Sequence, residues 1–156
     1  MDPPEIGFPP APTVVASGRP GMVTAAGVVL IVIGALFGLI GLLFLLVGSQ
    51  WRSLIENPDV RAQIGELPAD FGRVVVVIGA IVIVIGTVEI LSGAFVLVAR
   101  QWARITGIVI SSVLGLFWVL NVVSPGAGRW LPMLLLGSSA FVVWALATNG
   151  RYFSRE

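Results

Sequence analysis

The chain has no cysteine, no histidine and no lysine among its 156 residues. Without cysteine there can be no disulfide, no thiol nucleophile and no thiolate metal site. Without histidine the commonest general base and metal ligand is missing. Charge is scarce as well: 11% of residues are charged, against about 25% in ordinary soluble domains. All nine cations are arginine, and a net charge of +1 provides no basic field for nucleic acid. No glycine-rich loop follows a strand to cradle a phosphate, and no serine has a recognisable base other than Glu89. With so little chemistry to draw on, the sequence reads as a non-enzymatic protein with no cofactor and no metal.

What is abundant is hydrocarbon. Hydrophobic residues make up 57% of the chain, and they gather into four runs at about 22–48, 74–99, 105–123 and 130–148. Each meets or nearly meets the ~20 residues of a membrane helix. The first two are overlong, which implies tilt or projection into an interface. They are also rich in valine and isoleucine. In lipid, however, an isolated strand leaves its backbone polar groups unsatisfied, so helix is expected. No alternating ten-residue segments suggest a β-barrel. The fold class is therefore all-α, a polytopic antiparallel bundle of four transmembrane helices.

The connections differ in character. Residues 1–20 hold six of the ten prolines and read as an extended or disordered tail. Asp2 and Glu5 replace the basic start of a signal peptide, so none is expected. Residues 49–73 form the one sizeable loop. In it Asn57-Pro58 has the form of a helix cap followed by proline at the first helical position. Val60, Ile64 and Leu67 then share a face, predicting a short amphipathic helix that Pro68 ends. Gln50, Trp51 and Arg52 read as interfacial anchors. Arg100–Arg104 makes a very short second connection. Pro125, Gly126 and Gly128 mark a turn in the third, and 150–156 is a short tail.

Glycine supplies the strongest pattern. Gly27, Gly34, Gly41 and Gly48 recur every seventh residue in the first span, and Gly72, Gly79, Gly86 and Gly93 do so in the second. A spacing of seven returns to nearly the same helix face every two turns. Each helix thus carries a groove without side chains, roughly 30 Å long at ~1.5 Å per residue. Small residues let two backbones approach closely. Packing of spans one and two against each other, left-handed near +20°, is the simplest consequence; a homo-oligomer interface through one groove, including Gly34-x-x-x-Gly38, is the alternative. The segments GVVLIVIGALFGLIGLLFLLVG and GRVVVVIGAIVIVIGTVEILSG align at an offset of 45, through duplication or convergence in an apolar alphabet.

Glu89 is the only ionisable residue inside a span. A charge near the bilayer centre costs at least a few kcal/mol, so such residues face protein or water. Between Gly86 and Gly93, Glu89 lies on the glycine stripe and should point into the bundle. Phe44 holds the equivalent place in the first span. Ser111, Ser112, Ser138 and Ser139 lie at similar depth, with Thr87 and Ser92 close by in sequence, and could form one polar layer around the acid. Two readings stay open. A neutral carboxyl hydrogen-bonded to serines would fasten helices. A titrating one would be a proton or cation site in a small oligomeric transporter or channel. Asn121 could bond across helices or meet headgroups.

Orientation follows from arginine. With both termini inside, the inner segments carry Arg19, Arg100, Arg104, Arg151 and Arg155, and the outer ones Arg52, Arg61, Arg73 and Arg129. This slight positive-inside excess favours cytoplasmic termini. Trp51 and Trp130 would then lie at the outer interface, with Trp102 and Tyr152 at the inner one.

Three stretches, RPGMVTAAGVVL, ARQWARITGIVISSVLGL and GRYFSRE, carry a resemblance. In them the chain resembles the small, uncharacterised four-span integral membrane proteins of actinobacteria, with their Pro-rich cytoplasmic tail, Arg-x-Trp-Ala-Arg turn and terminal Tyr-Phe. The resemblance implies a bacterial plasma membrane and termini inside, and supplies no catalytic residues. The expected partners are the lipid bilayer and other membrane proteins or a second copy, in the role of accessory subunit or scaffold.

Overall fold

In the computed structural model four helices are long and apolar enough to cross a membrane. The structure describes residues 20–64, 68, 70–124 and 128–153. The helices are α1 (Gly21–Ser49), α2 (Trp51–Glu56), α3 (Pro58–Ile64), α4 (Phe71–Leu97), α5 (Gln101–Val123) and α6 (Trp130–Thr148), followed by a 3-10 turn at Gly150–Tyr152. No strand occurs among the described residues, despite the Val/Ile-rich spans. A helix satisfies its backbone within one segment, which is what an apolar solvent demands. Only 17–22% of the residues in the most apolar stretch of each span are fully buried inside the chain. The exposed ones form a surface suited to lipid.

The long helices pack as a ring, α1 on α4, α4 on α5, α5 on α6 and α6 on α1, with α1–α4 by far the most extensive pairing. That pairing is antiparallel and runs through the two glycine rows. Gly27 meets Gly93, Gly34 meets Gly86, Gly41 meets Gly79 and Gly48 meets Gly72. A methyl group on Gly86 would lie 2.5 Å from the Gly34 carbonyl, and one on Gly34 would lie 2.6 Å from the Gly86 carbonyl. The other three pairs are similarly tight. The contacts also mirror one another under the 45-residue offset. A Cβ at Gly34 would meet Glu89 Cβ at 2.9 Å, and one at Gly79 would meet Phe44 Cβ at 2.9 Å. The pair therefore has a local two-fold relation that exchanges α1 and α4. Gly38, by contrast, faces open space.

The side-chain core lies at one end of this ring. Val23, Ala26, Leu30, Val96, Ala103, Val142, Ala145, Leu146 and Phe153 form one buried cluster. It unites the start of α1 with the chain beyond α6, so both ends of the described chain lie on the same side of the membrane domain. Arg104 fastens this end. Its Nε donates to Leu146 O at 2.9 Å and its Nη2 to Ala147 O at 3.3 Å, while the guanidinium lies 5.9 Å from the Phe153 ring centre. Those carbonyls belong to the last turn of α6, where a cation also suits the helix dipole.

Helix ends differ from the sequence expectation where arginine suggested a break. α5 begins at Gln101, four residues before the expected 105, and takes Arg104 into its first turn. The charge is accommodated by reaching α6 rather than by ending the helix. α4 runs from Phe71 to Leu97, starting three residues before the expected 74 and ending two before 99. Its end is a Schellman motif: Arg100 N donates to Phe95 O and Ala99 N to Val96 O. Ala99 has φ 62°, in the left-handed region that glycine usually fills.

In the large connection, Asn57 Oδ1 accepts from Asp59 N at 3.0 Å and Pro58 opens α3, as its sequence predicts. Val60 is half-buried beside exposed Asp59, Arg61 and Ala62. α2 was not expected. Trp51 is buried rather than a free interfacial anchor: its Nε1 donates to Pro68 O, its ring tilts on Phe71, and its Cβ lies over Gly72. The expectations for the proline-rich tail, Leu67 and the Pro125-Gly126 turn lie outside the described residues, as does that for the Ile64 side chain.

Two stability predictions follow from this packing. Gly86→Ala should lower stability by about 1–3 kcal/mol through overpacking against backbone, whereas Gly38→Ala should be neutral or stabilising. Ala99→Gly should stabilise by about 0.5–1 kcal/mol, since glycine reaches positive φ without strain. Thermal unfolding in lipid nanodiscs, followed by circular dichroism, measures each change.

Candidate functional site

Glu89 is placed by the glycine seam. Its Cβ faces Gly34, and the Gly34–Gly86 and Gly27–Gly93 backbone contacts close the seam on either side of it. The side chain is 2% exposed. As the sequence predicted, it points inward along the stripe of Gly86, Gly93 and Ser92, all buried. Its Oε2 has no hydrogen-bond partner, and neither does the hydroxyl of Ser92, one turn further along the same face. From α1 the seam presents Leu30 and Ile31 opposite Gly93, carbon side chains that cannot satisfy either group.

The expected serine layer is divided. Ser112 Oγ donates to Ile108 O, and Ser138 and Ser139 both donate to Leu135 O, each within its own helix. These hydroxyls spend their proton on the backbone instead of reaching across to Glu89. Thr87 does the same to Ile83 O, and its side chain is exposed. Ser111 and Ser139 are buried, Ser138 is half-buried and Ser112 is exposed. Ser111, Ser112 and Ser139 instead line a shallow groove of about 440 Å³ between α5 and α6, with Gly115, Leu136 and Ala140. Asn121 donates to Phe117 O in its own helix and makes no cross-helix bond.

The other end of the ring is looser than the packed core. An apolar cleft of about 420 Å³ separates the α1–α4 pair from α5, lined by Phe37, Phe44, Ile78, Val82, Leu114 and Trp118 among others. Phe37 and Trp118 stack across it with centroids 6.5 Å apart. Sequence reading did not foresee this cleft, the Arg104 clamp or the burial of Phe153. A lone arginine beside a turn looks the same whether it meets headgroups or helix carbonyls. The aromatic pair Tyr152-Phe153, by contrast, was a visible sign that the chain returns to the core.

No protein-family model, curated protein or solved structure matches this chain. Among the described residues no cluster of three or more Asp or Glu could hold a metal ion. What the arrangement supplies chemically is one buried carboxyl and one buried hydroxyl in a closed apolar seam.

Glu89→Gln keeps the volume at the seam and should leave helicity intact and the unfolding midpoint within a few degrees. Glu89→Lys should destabilise by at least about 2.5 kcal/mol, because lysine cannot reach an interface from this depth. Thermal unfolding of the two variants in nanodiscs decides the matter.

Proposed function

We propose that this chain is a non-enzymatic membrane protein that serves as an accessory subunit or scaffold, associating with other membrane proteins or with itself. The observation that carries the reading is the groove between α5 and α6. Along it Ser112 and Ala140 are exposed and Gly115 is half-buried, above buried Ser111 and Ser139, so small residues leave this side of the α5–α6 pair with little bulk toward the bilayer. In lipid, helices associate where small residues allow close approach, because van der Waals contact replaces the hydrophobic drive available in water. The α1–α4 seam, whose glycines are already used internally, is not free for such a role.

The resemblance to actinobacterial four-span proteins supports a bacterial plasma membrane as the setting. Arg100 and Arg104 at the short α4–α5 turn support cytoplasmic termini under the positive-inside rule. A second reading, a small oligomeric transporter, is favoured by the burial of Glu89 alone.

Extraction in native lipid particles, with mass determination, tests the first reading. The expected particle contains a second copy or another membrane protein, and Gly115→Leu should release a single chain. A wild-type particle holding one copy alone would contradict the proposal. Reconstituted vesicles test the second reading: proton flux that Glu89→Gln abolishes would favour transport. For orientation, the native chain has no cysteine to interfere. Cysteine introduced by Arg129→Cys should react with an impermeant maleimide on intact cells, and that introduced by Arg151→Cys should not; the reverse pattern would place the termini outside.

A further inference from the structure

We propose that the cleft between the α1–α4 pair and α5 holds one acyl chain of a phospholipid, drawn from the leaflet on the α2–α3 side. The inference goes beyond the accessory role and does not depend on it. The cleft encloses about 420 Å³, and the surface it presents is carbon throughout. Water and ions find no partner there, since apolar cavities stay dry and take apolar molecules. The volume falls within the range of ligand sites, about 300–1,000 Å³.

Depth ties the cleft to one leaflet. α1 and α4 are about 43 and 40 Å long, against a hydrocarbon core of ~30 Å; with the excess shared, hydrocarbon begins about 5–6 Å below the helix ends. Phe44 lies five residues from the end of α1, and Ile85 lies fourteen from the start of α4. At ~1.5 Å per residue the lining therefore covers depths of roughly 8 to 21 Å on the α2–α3 side. It starts just beneath the interface and stops near the midplane, ~15 Å into the hydrocarbon. A phospholipid tail runs the same course.

Width selects the occupant. Spread over roughly 13 Å of depth, the volume gives a mean section of about 30 Å², whereas a helix with its side chains is about 10 Å across and needs about 80 Å². A transmembrane helix of a partner cannot enter, and a single hydrocarbon chain can. The way in is lateral. Ile40, Phe44, Ile78 and Phe117 line the cleft and are also exposed, so it is continuous with the face that meets the bilayer. The Phe37–Trp118 stack joins the two walls and sets the width between them. A seated chain supplies the dispersion contacts that a void forfeits. It does so along the half of the bundle that the buried core around Leu30 and Leu146 does not reach.

A crystal structure of the full chain, grown from a lipid phase doped with phosphatidylcholine brominated along its acyl chains, tests the proposal. The expected result is an anomalous bromine peak inside the cleft, within about 4.5 Å of Leu114 or Trp118. Native mass spectrometry after mild delipidation should find one more phosphatidylcholine on the wild-type chain than on Leu114→Trp, which fills the cleft. Three results would overturn the proposal: a cleft without a bromine peak, whether empty, hydrated or closed by α5; a side chain of a second copy seated in it; or equal lipid retention by wild type and folded Leu114→Trp. Should the variant fail to fold, the bromine map of the wild type decides alone.

Discussion

The backbone contact between α1 and α4 is the constraint on which the rest of the molecule depends. Lipid tails are as apolar as leucine, so burying side chains offers two membrane helices little reason to pair. Close approach does, because dispersion grows with the number of atoms brought into contact. Four glycine pairs in antiparallel register bring the backbones together along nearly the whole length of both helices. That register fixes where Glu89, Phe44 and Trp51 stand, each seated against a glycine of the opposing helix or its flank.

The second helix pair depends on the first and on one end of it. α5 and α6 meet α1 and α4 through the core around Leu30, Val96 and Leu146, where Arg104 ties α5 to the last carbonyls of α6. Away from that end the α1–α4 pair and α5 part around Phe37 and Trp118. The bundle is thus closely packed where α1 begins and α6 ends, and parted at the far end. The enclosed carboxyl lies in the closely packed α1–α4 seam, and the groove of small residues lies on the α5–α6 pair, so the two features occupy separate helix pairs.

Much of this was legible in the sequence, for a physical reason. A membrane span must be helical, so run length gave the span count. Period-seven glycine gave the contact face, and Glu89 on that face gave an inward carboxyl. Register was not legible. The parallel alignment of the two segments at an offset of 45 suggested equivalence between Glu89 and Phe44, and in the antiparallel pair that equivalence survives as symmetry rather than contact. The serine layer failed because a hydroxyl in a helix has an acceptor one turn back at no cost in reach, and depth alone does not tell whether it uses it. Arg104 was read by its charge, when its partners were helix carbonyls distant in sequence.

The antiparallel glycine seam is tested most directly by pairwise spin-label distances in nanodiscs, with cysteines introduced at exposed Met22, Val98 and Arg73. Labels at 22 and 98, at the same end of the seam, should lie within about 20 Å. Labels at 22 and 73 should stand about 38 Å apart along the axis, the length of the roughly 25 residues between Arg73 and Val98 at ~1.5 Å per residue. A short 22–73 distance with a long 22–98 distance would mean that the helices run parallel, and similar intermediate distances for both pairs would mean that α1 and α4 do not pack along the glycines; either result would contradict the account.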